Sequence, residues 1–318
     1  MDFRALVRIA HHRRALLRHD RWTREQLISH QSRELASLRE FACLKSAFYY
    51  RFHEGRADCP LEELPVLARE EFERGALDIE TDRSATARVS HAVEAAVAAA
   101  SRERVLAWAG LAPGFAQWFD PVRSTVYGAP AAGPYGGPYS ASPRMRFRHL
   151  DAARPAADLS RELNDWQPAF IRTTADRALA LAREQLDGAL RITPAIVSLE
   201  GALLTPETRW IIEEAWGTAV FDAYTADGLG VLAAECAEHR GLHLCEDLNV
   251  IEIVDAEGHA VAPGVFGERV LVTSLYRRAR PLIRYELRDR VRLAARACPC
   301  GRPFRLIDGL EPGPRGAR

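Results

Sequence analysis

"TPAIVSLEGALLTPETRWIIEEAWGTAVFDAY", residues 193–224, holds two apolar runs of strand length separated by one segment of helix length. "AIVSLE" is short and rich in β-branched residues, as a buried strand requires. Thr205 and Pro206 then offer a cap and a first-turn residue, and Gly217 a stop, so a helix is expected between them. "AVFDAY" follows as a second buried strand. The same rhythm extends upstream, through a helix on "DLSRELNDW", a strand on "PAFIRT" and a helix at 175–187. Strands alternating with helices predict an α/β fold, a mostly parallel sheet flanked by helices.

Beyond Cys236 the pattern changes. "NVIEIVD", a turn at Gly258, "ERVLVTSL", "LIRYEL" and "RVRLA" are short, alternating and rich in valine, isoleucine and tyrosine, which predicts a small antiparallel β subdomain. At the other end, residues 1–57 are helical in pattern, with Leu27, Leu35 and Leu38 spaced for one face. Pro60 and Pro65 break the chain before a short helix on Arg69–Arg74 that ends at Gly75. The alanine-rich stretch 85–109 predicts a long helix ending at Gly110. These shifts suggest a helical region over 1–80, an α/β body over 81–235 and the β subdomain over 236–318. The glycine- and proline-rich stretch 127–143 reads as a loop; its prolines remove N–H donors and it has no lysine, which disfavours a phosphate cradle.

Forty-three basic residues balance 43 acidic ones, so no net field gathers nucleic acid or an anionic membrane surface. The longest uncharged run, near 89–100, is interrupted by His91 and Glu94 and is too short to span a bilayer. The basic N-terminal stretch lacks the uninterrupted apolar core of a secretory signal. Six cysteines in such a chain suit a reducing compartment, the cytoplasm, where thiols serve as small buried residues, metal ligands or nucleophiles.

Cys298 and Cys300 flank a single proline and can give two ligands to a four-coordinate metal. The remaining two would come from "AAECAEHRGLHLCED", which offers Cys236, His239, His243 and Cys245. Buried thiols with surface histidines are the alternative reading of the same residues. No G-x-S-x-G elbow occurs, and Glu213 and Glu214 are helix neighbours that point apart, so neither triad nor paired-carboxylate chemistry is indicated. No catalytic residue is assigned. Cys43, Cys59 and Cys245 read as packing residues.

"AYTADGLGVLAAEC" (223–236), continuing through "GLHLCEDLNVIEIVD" and "PLIRYELRDRV" to "CPCGRPF" (298–304), resembles the phenylacetate-coenzyme A ligase family of adenylate-forming enzymes. "KSAFYYRFHEG" and "LEELPVLAREEF" resemble that family's N-terminal helices, while residues 80–160 match poorly. The resemblance implies that a carboxylic acid is joined to AMP using ATP and magnesium and that the acyl group then passes to coenzyme A. Tyr224 matches the aromatic of the adenine-side motif, and Asp289 the aspartate that holds the ribose hydroxyls, with Arg284 and Tyr285 leading to it. A surface pair with Arg288 or Arg290 is the other reading of Asp289. The resemblance also implies a structural zinc on Cys236, His243, Cys298 and Cys300.

Three departures accompany these matches. Where the family carries a Ser/Thr/Gly-rich phosphate loop, residues 80–104 read "ETDRSATARVSHAVEAAVAAASRER" without a glycine. Where the family shows Thr-Glu, this chain has Asp227-Gly228, so a magnesium carboxylate would have to come from Asp227. "LIDGLEPGPRG" resembles the approach to the hinge, and the small lid bearing the family's catalytic lysine is not seen after it. All three fall on the handling of triphosphate. Two readings result: a ligase-like protein impaired in adenylation, with a lid supplied by a partner chain if it acts at all, or a non-catalytic acyl- or nucleotide-binding scaffold.

Overall fold

In the computed structural model, residues 3–54, 56, 58–75, 79, 85–111, 122–127, 145–151, 154–200, 204–226, 228–311 and 313 are described. The 128–143 loop and Asp227 lie outside these residues. The chain divides into two compact units, one of Met1–Ala10 with Ala99–Leu242, the other of His11–Ala98 with His243–Arg318. Helices α1 (Phe3–His19) and α5 (Ala85–Trp108) contribute residues to each.

Among its described residues the first unit carries six strands: β1 (Val122–Tyr127), β2 (Met145–Leu150), β3 (Phe170–Thr174), β4 (Ile196–Glu200), β5 (Val220–Ala226) and β6 (Gly230–Glu235). Their order is β2-β1-β3-β4-β5-β6. The first five are parallel and β6 is antiparallel, with a register shift beside Tyr224. The parallel sheet expected from the strand–helix alternation is therefore present. Strands β1 and β2 had no counterpart in the sequence reading: their arginines and serine dilute the apolar signal.

Burial explains why each central strand opens with consecutive apolar residues. Ile171, Val197 and Val220 pack on one side with Leu159 and Leu163 of α6 (Ala156–Trp166), Leu181 of α7 (Ala175–Leu186) and Ile212 of α8 (Pro206–Trp216). Their neighbours Phe170, Ile196 and Phe221 join Leu106 of α5 in a separate cluster. Successive strand residues face opposite sides, so a sheet covered on both faces leaves no polar alternation. Helix α8 begins and ends as its sequence predicts: Thr205 caps the Thr208 N–H at 3.2 Å, Pro206 occupies the first turn, and Gly217 adopts φ 62°.

The second unit contains the predicted antiparallel strands, β8 (Asn249–Val254), β10 (Arg269–Ser274) and β11 (Tyr285–Leu287), ordered β11-β10-β8. A second set runs β7-β13-β12-β9, with β7 at Leu242–Leu244, β9 at Phe266–Gly267, β12 at Arg290–Leu293 and β13 at Leu306–Glu311. The N-terminal helices α2 (Arg24–Lys45), α3 (Ala47–Phe52) and α4 (Arg69–Arg74) belong to this unit. Leu27 and Leu38 of α2 are fully buried. A capping box between Thr23 and Gln26 starts α2.

Polar anchors join these helices to the connections between strands. Tyr49 of α3, fully buried, donates its hydroxyl to Pro281 O at 2.8 Å and accepts from the Ile283 N–H. The Glu246 carboxylate, also fully buried, takes Arg24 at 2.7 and 3.0 Å and Arg305 at 2.7 Å. Burial alone would raise its pKa, but these two guanidinium groups hold it below the usual range. His19 pairs with buried Asp247 at 2.8 Å, under the stacked ring of Trp22.

Candidate functional site

Strand β7 and the turn after β12 carry the residues with the most distinctive chemistry. The turn Cys298–Gly301 closes with the Gly301 N–H on Cys298 O at 3.3 Å. Gly301 has φ 79°, a conformation that costs glycine little. Between the two cysteines Pro299 fixes φ, so both thiols are presented from one rigid turn.

Cys236, His243, Cys298 and Cys300 bring one ligand atom each within 4.8 Å of one another. The first three are buried and Cys300 is partly so. His243 Nε2 lies 3.3 Å from the Cys300 sulfur. Burial, reinforced by the Arg302 cation, pushes the His243 pKa down to about 4, so the imidazole is neutral at pH 7 and keeps a lone pair for a metal. Burial pushes the Cys300 thiol up, yet hydrogen bonds from the Arg302 backbone and the Cys298 side chain, with the Arg302 charge, bring it below the ordinary thiol value. Three thiolates and one imidazole around a divalent ion leave one net negative charge, which Arg302 offsets. The donor set, its burial and its neutral histidine fit a four-coordinate metal with no open position.

The other candidates in the segment go elsewhere. His239 Nδ1 lies 3.3 Å from Glu235 Oε2, and its ring packs on Phe221. Cys245 is buried and outside the quartet. Cys43 and Cys59 are partly buried, and all six cysteines are free thiols. Arg302 escaped the sequence reading; its place two residues after Cys300 was the available signal.

Beside this segment, Glu235 receives both Arg209 Nη2 contacts at 2.9 Å and the Asp222 N–H at 2.8 Å. Asp222 accepts the Leu204 N–H at 2.9 Å, and burial pushes its carboxyl up to about 6.

Of the residues matched to a nucleotide site, Tyr224 is a buried residue of β5 in the first unit. In the second unit, Arg284 is buried at φ 49°. Its guanidinium takes Glu252 through Nε at 3.2 Å and Nη2 at 3.0 Å, and donates Nη1 to the carbonyls of Glu62, at 2.9 Å, and Leu64. Its own carbonyl accepts the Leu67 N–H at 2.9 Å. Asp289, partly buried in the β11–β12 connection, accepts the Gly313 N–H at 3.2 Å. Its neighbours pair elsewhere, Arg288 with Glu70 at 2.9 Å and Arg290 with Glu311 at 2.5 Å. A cleft of about 530 Å³ opens among Arg269, Arg288, Arg290, Glu268, Glu286 and Ala256.

No family model matches the chain. The phenylacetate-coenzyme A ligase of Thermus thermophilus is 34% identical over 150 residues, which is 44% of this chain and 33% of that enzyme. The match thus spans a third of the relative's length. Among solved structures, a 2-hydroxyisobutyryl-CoA ligase in the postadenylation state with 2-HIB-AMP superposes with TM-score 0.75 at 20% identity, over 92% of this chain and 69% of that one. The open conformation of such a ligase, with 2-HIB-AMP and CoA, gives TM-score 0.71 at 20% identity over 87% and 73%. At that identity the likeness is one of fold. The chain is thus similar in sequence, over part of its length, to a phenylacetate-coenzyme A ligase, and similar in fold to solved acyl-CoA ligases.

Proposed function

We propose that the chain is a phenylacetate-coenzyme A ligase-like protein impaired in ATP-dependent adenylation, which retains a site for a nucleotide or a small acyl group. The observation that carries this reading is helix α5. Residues 85–108 are continuous α-helix over most of the stretch where the family resemblance places a phosphate loop. Beyond the first turn a helix uses its N–H groups internally, so they cannot wrap a phosphate. Adenylation requires charge on the α-phosphoryl group to be offset as the displacement proceeds, and that stretch offers no glycine-rich cradle for it.

In this reading Tyr224, Asp227 and Asp289 contact a nucleotide. Arg284 acts at one remove: tied to Glu252 and to the 62–67 segment, it fixes the backbone leading to Asp289. Cys236, His243, Cys298 and Cys300 hold a structural zinc, which when bound supplies a closed four-ligand cross-link. The residues left to the protein's own chemistry are binding residues. Among the described residues no helix is long and apolar enough to cross a membrane. The free thiols suit a reducing compartment such as the cytoplasm.

Pyrophosphate release from ATP and magnesium, followed across a panel of aryl and alkyl acids with coenzyme A, tests the proposal. No acid-dependent release is expected, with AMP binding detectable by calorimetry and lost in Asp289→Ala. Acid-dependent release that Asp289→Ala abolishes would establish a working ligase and end the proposal.

A further inference from the structure

Arg39 of α2 is a buried cation, 7% exposed, with no carboxylate partner among the described residues. Its guanidinium turns instead to the stretch that follows α3. Nη1 donates to Cys59 O at 2.6 Å, and Nη2 to Arg56 O and to the Cys59 sulfur, each at 3.4 Å. Cys43 stands four residues further along α2, so its side chain rises from the face that carries Arg39, with the two Cβ atoms roughly 5–6 Å apart. Both cysteines are free thiols and partly exposed. All four residues belong to the second unit.

A clamp on residues 56–59 would need only the two carbonyls, and the third contact, from guanidinium to sulfur, concerns the thiol alone. Buried charges are normally paired, since an isolated one carries a large desolvation cost. Cys59 is the group touching Arg39 that can take negative charge. A charged donor on its sulfur offsets the charge that develops when a thiol reacts as thiolate. The second thiol lies within electrostatic reach of the same cation: burial raises the Cys43 pKa, the Arg39 charge opposes the rise and a charge on Cys59 adds to it. An accessible sulfur with a cation on it, beside a second thiol, is the arrangement of an attacking and a resolving cysteine.

The geometry points to Cys59 and Cys43 as an oxidation site, where a hydroperoxide converts the two thiols to a disulfide and the Arg39 guanidinium activates Cys59. The Cys59 sulfur attacks the peroxide and breaks its O–O bond. One oxygen stays on sulfur as a sulfenic acid, and the other leaves with the thiol proton, as an alcohol or, from hydrogen peroxide, as water. The Cys43 sulfur then attacks the sulfenic sulfur, the S–S bond forms, and the hydroxyl departs with the Cys43 proton as water. The thiol pair gives up two electrons and the peroxide takes them. The inference does not depend on the ligase-like reading, because these residues belong neither to the proposed nucleotide contacts nor to the Cys236, His243, Cys298 and Cys300 cluster.

The test treats reduced full-length protein with an equimolar amount of hydrogen peroxide, then alkylates it and digests it with trypsin. Peptides 40–45 (EFACLK) and 57–69 (ADCPLEELPVLAR) hold one cysteine each, so a disulfide between them is read by mass, apart from any oxidation of the other thiols. The linked pair is expected in wild type, reversed by dithiothreitol, absent from Cys59→Ser, and formed at least about tenfold more slowly in Arg39→Gln. Cys43→Ser carries the test if Arg39→Gln does not fold: with the resolving thiol gone, dimedone should label Cys59 several-fold more than in wild type. The proposal is overturned if wild type yields no linked pair, if folded Arg39→Gln links at the wild-type rate, or if Cys59 stays unlabelled in Cys43→Ser.

Discussion

His243 Nε2 stands 3.3 Å from the sulfur of Cys300, across the turn from a second cysteine and beside a third. Because binding of a metal to such a quartet is coupled to folding, its loss appears in stability. We expect about one zinc per chain by metal analysis. Cys298→Ser and Cys300→Ser should each lose it and cost at least about 2 kcal/mol of unfolding free energy. Metal-free wild-type protein whose melting is unchanged by Cys298→Ser would remove zinc from the account.

His53 is fully buried, against the rings of Tyr49 and Phe52, and neither ring nitrogen has a partner among the described residues. Burial, with Arg39 and Arg56 adding to it, pushes its pKa down to about 4. Between pH 6.5 and 4 the unfolded chain therefore binds a proton that the folded one refuses, and stability falls as the pH drops through that window. The slope is up to about 1.4 kcal/mol per pH unit. His53→Phe should flatten urea midpoints measured from about pH 7 to about pH 4.5; an unaltered slope would show that His53 is not the titrating group.

Asp222 acts in the opposite direction. With its carboxyl pushed up to about 6 by burial, the folded protein holds the proton more tightly than the unfolded chain, so this residue adds stability as pH falls from about 6 toward 3.8. Above that window the buried charge is a cost. Asp222→Asn, which keeps an acceptor for the Leu204 N–H, should stabilise the protein at about pH 7.5 by about 1–2 kcal/mol, with the difference shrinking toward about pH 4. Calorimetric melting at both pH values decides it, and a variant less stable at the higher pH contradicts the assignment.

Gly267 of β9 has no room for a side chain. A Cβ there would lie 2.5 Å from Ile253 Cγ2 and 2.9 Å from the Val254 carbonyl, and the latter is backbone that cannot swing aside. Gly267→Ala should cost about 1–3 kcal/mol, measured as a lowered denaturation midpoint. A neutral substitution would mean that β9 sits farther from β8 than described.

The helix and strand pattern of the second half was readable because its signals are local. Thr205, Pro206 and Gly217 bracket α8 within one stretch of chain. The cluster of Cys236, His243, Cys298 and Cys300 was readable only in part. Spacing left His239 and Cys245 as rivals to His243 and Cys236, and three-dimensional proximity separates them. Arg284 shows what sequence conceals: its partners Glu62, Leu64 and Glu252 lie far along the chain, and no periodicity links them. Glu94 is similar. In sequence it only interrupts an uncharged run, and its carboxylate is held by the Arg278 and Ala279 amides, almost two hundred residues away. Strands β1 and β2 were missed because their polar residues hide the strand pattern.

The doubly covered strands of the first unit carry a consequence for alignment. A strand with one wet face resists slipping by a residue, since slippage would drive its polar side into oil. β3 and β4 lack that safeguard, because Phe170 and Ile171 are both greasy and so are Ile196 and Val197. The ion pair between Arg172 and Glu200 supplies what hydrophobicity cannot: Arg172, registered opposite Ser198, reaches diagonally to Glu200, and a slip by one residue would turn the two charges to opposite faces.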